Sequence, residues 1–308
     1  MQTLKYDTAV DVDQENTSHA QMLRLVGGGK RVLDVGCATG YLARALVEQG
    51  CTVWGVEYDA QAAEQARSAL ADVLVGDLET LDLVGYFGAD RFDVVIFGDV
   101  LEHLRRPLDV LREARPLLAL GGCVVVSIPN IAHGSVRLAL LRGEWRYRPL
   151  GLLDDTHLRF FTRDTVEELL RAAGLVPVDV RRTTAGLFDT ELGIRPGDFP
   201  PELVQRVLDD PEATTYQFVV RAVVEGADSA VRELHEREEA AWREVHQLSG
   251  QIAQLRVEVE RLHRELTALH ATRTVRITRR AWALYPRLRP PLRHADVGEC
   301  SARPAPCP

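Results

Sequence analysis

Acids, glycines and histidines recur in this chain at spacings that suit gripping a charged small molecule and removing a proton beside it. An apolar run ends in Asp34 and passes into Gly36 and Gly40, in VLDVGCATGYL at 32–42. Glycines at a tight strand-to-helix turn let the backbone approach a ligand at a helix N-terminus. Asp34 lies inside the strand, where its carboxylate can pair with the ammonium of an amino-acid ligand; a pyrophosphate would be repelled there. About 20 residues further on, the run WGVEYDA sets Glu57 at a strand end, from which a carboxylate accepts both hydroxyls of a ribose. Tyr58 offers a flat face for adenine, and Asp77 with Leu78 closes a third strand, where the acid can take the adenine amino group.

Asp99, Glu102 and His103 have i, i+3, i+4 spacing, which brings them to one face if a helical turn begins there. Such a set could bind a divalent cation. In the alternative reading Asp99 contacts the cofactor while Glu102 and His103 shape the floor of the site. No fourth ligand can be named, so no metal is the expectation. Histidine titrates near neutral pH, which makes His103, His157 and His133 the candidates for a general base. His103 stands first because it follows Asp99 at the end of the fourth strand; His157, in THLRFF, stands second. His133 suits a structural role or a substrate contact. Arg137, Trp145, Arg146, Tyr147 and Arg159 combine rings with guanidiniums, as a sugar or anionic acceptor would require, or as an ordinary surface would show.

The elements that must hold these residues are short apolar runs, RVLDVG, TVWGVE, DVLVG, RFDVVIFGD and CVVVSIP, with helical periodicity at 41–49 and 60–71 between them. Continuous Val/Ile/Leu/Phe runs separated by helices read as buried parallel strands. Runs at 175–183 and 215–224 complete a doubly wound, seven-stranded, mostly parallel α/β sheet. Residues 31–225 form this domain, and 1–30 form a cap with a helix around 17–26 closing over the ligand. The polar segment 130–165 follows strand five, and ligands of open α/β sheets lie outside the carboxyl ends of the strands. It is therefore read as a substrate-side insertion.

Composition narrows the partners. The net charge is −8, divided between −14 over residues 1–272 and +6 over the Arg-rich 273–308. A nucleic-acid partner for the main domain is not expected, because phosphate binding needs a basic face. Five scattered cysteines give no disulfide framework, the N-terminus lacks a secretory pattern, and no apolar stretch reaches the ~20 residues of a membrane helix, so a cytoplasmic location is expected. From 231 to 269 a heptad repeat places Val231, Val245, Ile252, Val259 and Leu266 at one core position and Leu234, Leu248, Leu255, Leu262 and Leu269 at the other. β-branched residues at the first with Leu at the second favour a parallel two-stranded coiled coil, so 229–271 is expected to form a homodimer, with a single helix folded back on the domain as the alternative. The Pro-rich, basic 272–308 is expected to be largely disordered, and its arginines, interleaved with Trp282, Leu284 and Tyr285, could lie on an anionic membrane surface.

With Asp34, Gly36, Gly40, Glu57, Asp77 and Asp99 at their places, residues 31–129 resemble the class I S-adenosylmethionine (SAM)-dependent methyltransferases. One departure is Ala38 and Thr39, where many members have a glycine. The resemblance implies SAM as methyl donor. FGDVLEHLRRP (97–107), SIPNIAHGSVR (127–137) and DDTHLRFFT (154–162) are similar to the group that includes ubiquinone-biosynthesis O-methyltransferases, some of which use a metal, and the MetW proteins. The coil and its basic tail also resemble the ends of some bacterial polysaccharide-assembly enzymes. Together these imply O-methylation of a sugar, glycan or secondary-metabolite hydroxyl. The alternatives are N-methylation, quinone or phenol O-methylation, or a non-catalytic SAM-binding partner subunit of MetW type.

Overall fold

The computed structural model describes residues 14–88, 92–224 and, within 247–268, all but 249, 253 and 260. Seven strands, β1 (Arg31–Val35), β2 (Thr52–Glu57), β3 (Asp72–Val75), β4 (Phe92–Gly98), β5 (Leu118–Pro129), β6 (Leu175–Thr184) and β7 (Thr215–Val224), form one sheet in the order β3-β2-β1-β4-β5-β7-β6. The first five pair in parallel, and β7 runs antiparallel between β5 and β6. Strand order reverses between β1 and β4. That switch point opens a crevice at the carboxyl ends, where this architecture places its ligands.

Helices cover both faces: α1 (Ser18–Val26), α2 (Tyr41–Glu48), α3 (Ala60–Ala66), α4 (Leu83–Phe87), α5 (Pro107–Ala114), α6 (Gly134–Leu141), α7 (Arg163–Ala172) and α8 (Pro201–Leu208). Alternate residues of one strand serve opposite layers, as the two-residue pleat demands. Leu33, Val95, Phe97 and Val124 pack with Leu83, Leu111 and Leu170 from α4, α5 and α7. Val32, Val94, Ile96 and Val125 pack on the other side with Met22, Leu46 and Ala63 from α1, α2 and α3. A smaller core of Leu138, Leu187, Ile194 and Val207 joins α6 to α8.

Three expectations change. The helix expected around 17–26 is present, but it is also a layer of the fold: Met22, Leu23, Leu25 and Val26 are buried in the core, and His19 near its start reaches Tyr41 at the site. β5 starts at Leu118, ahead of the expected 123, because Leu118 pairs with Phe92 across a bulge before the regular register begins. The insertion 130–165 contains α6, in which Val136, Leu138 and Ala139 are buried while Leu140 and Leu141 are exposed, so that the apolar run shows little periodicity in sequence. Separately, residues 247–268 are helical where described, and Leu248, Ile252, Leu255, Val259, Leu262 and Leu266 are exposed on that helix. The remaining heptad positions, Val231, Leu234, Val245 and Leu269, and the tail at 272–308 lie outside the described residues.

Candidate active site

The turn from β1 into α2 is built for close approach. Gly36 has φ +78°, and a Cβ there would sit 2.5 Å from Val100 Cγ2. Gly40 caps α2 with φ +77°. Ala38 adopts φ +47°, so the alanine that replaces a common family glycine takes up the left-handed backbone that glycine accepts more cheaply. Its N–H donates to Glu57 Oε2 at 2.8 Å, and Asp59 N–H donates to Oε1 at 2.9 Å. Both carboxylate oxygens are thereby aimed, and each keeps a lone pair for a further donor.

Asp34 is 3% exposed. Burial, then the charge of Glu57, pushes its carboxyl up to about 7. Tyr41 stands among Asp34, Glu57 and Asp99; burial, then these acids, holds its phenol well above the ordinary range and therefore neutral. Three acids around one ring make a crevice that favours a cationic ligand. Asp99 itself has φ +55°, a strained backbone for a residue with a side chain, and such strain concentrates at functional sites. Ser127 Oγ from β5 and Gln217 Nε2 from β7 both donate to its Oδ1, fixing the carboxylate from two strands. Tyr58 is 76% exposed, and Asp77 is exposed with its Oδ1 accepting from Glu79 N–H.

Beyond Asp99 the chain makes a single 3₁₀ turn, Leu101–His103. It turns Glu102 inward to 1% exposure, with both carboxylate oxygens lacking a partner. Burial, then Asp99, raises this carboxyl well above the usual range. His103 faces His157 from the insertion, with ring centroids 4.9 Å apart. Burial, then His103, lowers the His157 imidazole, which favours its neutral form. From His157 a row of edge-on rings leads outward through Phe160 at 6.1 Å to Trp145 at 5.3 Å and Tyr147 at 6.3 Å.

The two leading histidines therefore meet, but other residues are placed differently. Among the described residues the donor cluster with metal-ligand spacing is Glu102, His103 and His157, within 4.8 Å of one another. Asp99 is outside it, because the break at φ +55° ends the helical face that the spacing requires and sends its carboxylate to Ser127 and Gln217. His133 is fully buried at the N-cap of α6, with Nδ1 on Ser135 and Nε2 on Ala185 O, and is a structural pin and not a substrate contact. Arg137 is committed to Ala132 O and Asp210. Arg159 holds Arg105 O from an exposed position. Sequence reasoning missed His19, Tyr41, Ser127 and Gln217. Tyr41 follows Gly40 directly and was the one with a visible signal; the others depend on strand register.

Residues 18–180 match the family model described as a methyltransferase domain. The chain belongs to this methyltransferase family. SAM is the cofactor of the family, and the aimed Glu57 carboxylate, the buried Asp34 and the acid-lined crevice fit a cationic nucleoside ligand. The methyltransferase is 35% identical over 160 residues to a ubiquinone biosynthesis O-methyltransferase of Cereibacter sphaeroides, covering 49% of this chain and 62% of the relative. A protein of that name from Psychrobacter arcticus is 28% identical over 170 residues, covering 54% and 66%. The match thus spans less than two thirds of the length of these relatives. Among solved structures, the CcbJ methyltransferase from Streptomyces caelestis is 20% identical, with a TM-score of 0.47, covering 72% of this chain and 95% of that one.

Proposed function

We propose that this methyltransferase is an active O-methyltransferase that uses His103 to remove a proton from a hydroxyl acceptor, of a sugar, a glycan or a related natural product. The observation that carries this reading is the meeting of His103 and His157 just beyond Asp99, at the switch point of the sheet. SAM supplies the activated methyl group; Asp34 would hold its ammonium, Glu57 its ribose hydroxyls and Asp77 its adenine amino group, with Tyr58 against the ring. On the acceptor side His103 takes the hydroxyl proton while the surrounding side chains orient the oxygen. The outward row of Phe160, Trp145 and Tyr147 gives flat faces against which sugar rings can stack. The same rings suit a phenol, and the names of the relatives favour that second reading.

Incubation with labelled SAM and panels of saccharides and phenols decides between them. His103→Ala should lower turnover by about 10²–10⁴ while leaving SAM affinity nearly intact. Unchanged turnover removes His103 from the role. We propose no metal requirement, since Glu102, His103 and His157 supply three donors and no fourth joins them among the described residues. Activity should survive dialysis against chelator; restoration of lost activity by Mg²⁺ or Zn²⁺ would make Glu102, His103 and His157 a cation site.

The proposal for the remainder of the chain is a homodimer through the heptad helix, with peripheral membrane contact through the basic tail. The exposed row from Leu248 to Leu266 supports the first. Among the described residues no helix is long and apolar enough to cross a membrane.

A further inference from the structure

His103 Nδ1 lies 3.1 Å from Thr156 Oγ1 and 3.2 Å from Thr156 O. The carbonyl can only accept. The hydroxyl has one hydrogen, and Asp154 Oδ1 stands 2.6 Å away to take it. That same Oδ1 accepts the Thr156 N–H at 2.8 Å, so it is an acceptor in this turn whatever the protonation of the other oxygen. Both groups facing Nδ1 therefore present lone pairs to it.

We infer that Asp154 and Thr156 are positioning residues that fix the His103 proton on Nδ1 and leave Nε2 as the bare nitrogen that accepts the substrate proton. The inference rests on the reading of His103 as the base. In the step, the acceptor O–H bond breaks, its electron pair stays on oxygen, its proton goes to Nε2, and Nδ1 keeps the proton it already holds. The resulting imidazolium strengthens its donation to Thr156, whose hydroxyl is already polarised by Asp154.

The segment that carries the pair is itself held. Asp154 is buried and its N–H donates to Gly151 O, while His157 N–H returns to Asp154 O. Leu158 and Arg159 N–H groups both donate to Glu102 O, at 2.8 and 3.0 Å, which ties the insertion to the turn bearing His103. A positioning role needs this rigidity, because a ring held by a loose loop would sample both tautomers.

The tautomer can be read without any acceptor. In the full chain labelled with ¹⁵N-histidine, long-range ¹H–¹⁵N spectra at a pH where the ring is neutral separate the two forms, with His103 assigned by its loss in His103→Gln. The expected result is the Nδ1–H form in the wild type and in Thr156→Ser. Thr156→Val should move the tautomer ratio about fivefold toward Nε2–H, the value of one net hydrogen bond, with the carbonyl still accepting. Asp154→Ala should move it further, because the freed hydroxyl can then donate to Nδ1. A wild type in the Nε2–H form overturns the inference, as does a ratio unmoved by both variants in folded protein. If the Nδ1–H form is found but His103→Gln keeps full turnover, the base assignment fails and the positioning stands.

Discussion

At the residue scale, the proposed cofactor side rests on two carboxylates, Glu57 and Asp34. Glu57 accepts from two backbone N–H groups, and each oxygen can still accept from a ligand hydroxyl. Glu57→Ala should weaken SAM binding by about 1.5–3 kcal/mol, measured by calorimetry, because hydrogen bonds to a charged group are the expensive ones to lose. Unchanged affinity would remove the ribose assignment. Asp34 predicts a pH dependence. Its folded value of about 7 lies above the ordinary 3.8, so the empty protein holds that proton more tightly than the unfolded chain does, and loses stability as pH rises through this interval. A bound ammonium favours the ionised form. SAM affinity should rise with pH by up to about tenfold per unit below pH 7 and level off above it; a flat titration across that range would show that Asp34 does not face the ammonium. Asp34 and Glu57 were legible as candidates in the sequence because their positions follow from strand ends. Asp99 was legible as a site residue but not in its partners, since Ser127 lies 28 residues away and Gln217 118 residues away.

At the element scale, the outer half of the sheet is fastened by charge. Glu212, just ahead of β7, accepts from Arg182 on β6, from Arg163 at the start of α7 and from Thr215 on β7. Burial alone would raise its carboxyl, but the Arg182 hydrogen bonds and charge, with Thr215 and Arg163, outweigh this and hold it low. The sign follows: its stabilising contribution is present above the ordinary carboxylate value and is lost as pH falls toward its lowered value. Glu212→Ala should cost about 3–5 kcal/mol in denaturant unfolding, since it removes the carboxylate that pairs with the buried Arg182 guanidinium. A cost below 1 kcal/mol would show that the arginines find other partners. The five parallel strands were readable because parallel strands buried on both faces are uninterrupted apolar runs, and the runs that form the antiparallel pair β6 and β7 were anticipated as well. α6 was not, because its apolar run continues from the buried Leu138 and Ala139 into the exposed Leu140 and Leu141, which blurs the helical period. His133 gave the same ambiguity: a cap and a ligand contact use the same residue type, and only burial separates them.

At the scale of the whole molecule, the heptad helix is the part with unanswered apolar surface. Leu248, Leu255 and Leu262 alternate with Ile252, Val259 and Leu266, all at least half exposed, and an apolar seam of this length is stabilised when a partner helix covers it. The full chain should sediment as a dimer, and truncation after residue 225 should give a SAM-binding monomer, because the sheet has its own two-sided core. A full chain that stays monomeric across micromolar concentrations would rule out self-pairing. Liposome co-sedimentation tests the tail separately: deletion of residues 273–308 should abolish binding to anionic vesicles.

The place of β7 also sets when the protein becomes complete. It is the last strand in sequence among the described residues yet lies inside the sheet, between β5 and β6, and its Gln217 is one of the two groups that fix Asp99. A nascent chain leaves the ribosome at about 5–20 residues per second, so through the synthesis of roughly the first 200 residues β5 has one open edge and β6 has no neighbour. An uncovered apolar edge is an invitation to mispairing. Only when residues 215–224 emerge can both be closed, and the same event delivers Gln217 to the centre. A chain that stops before residue 215 would lack both the strand that covers the β5 edge and one of the two groups that fix Asp99.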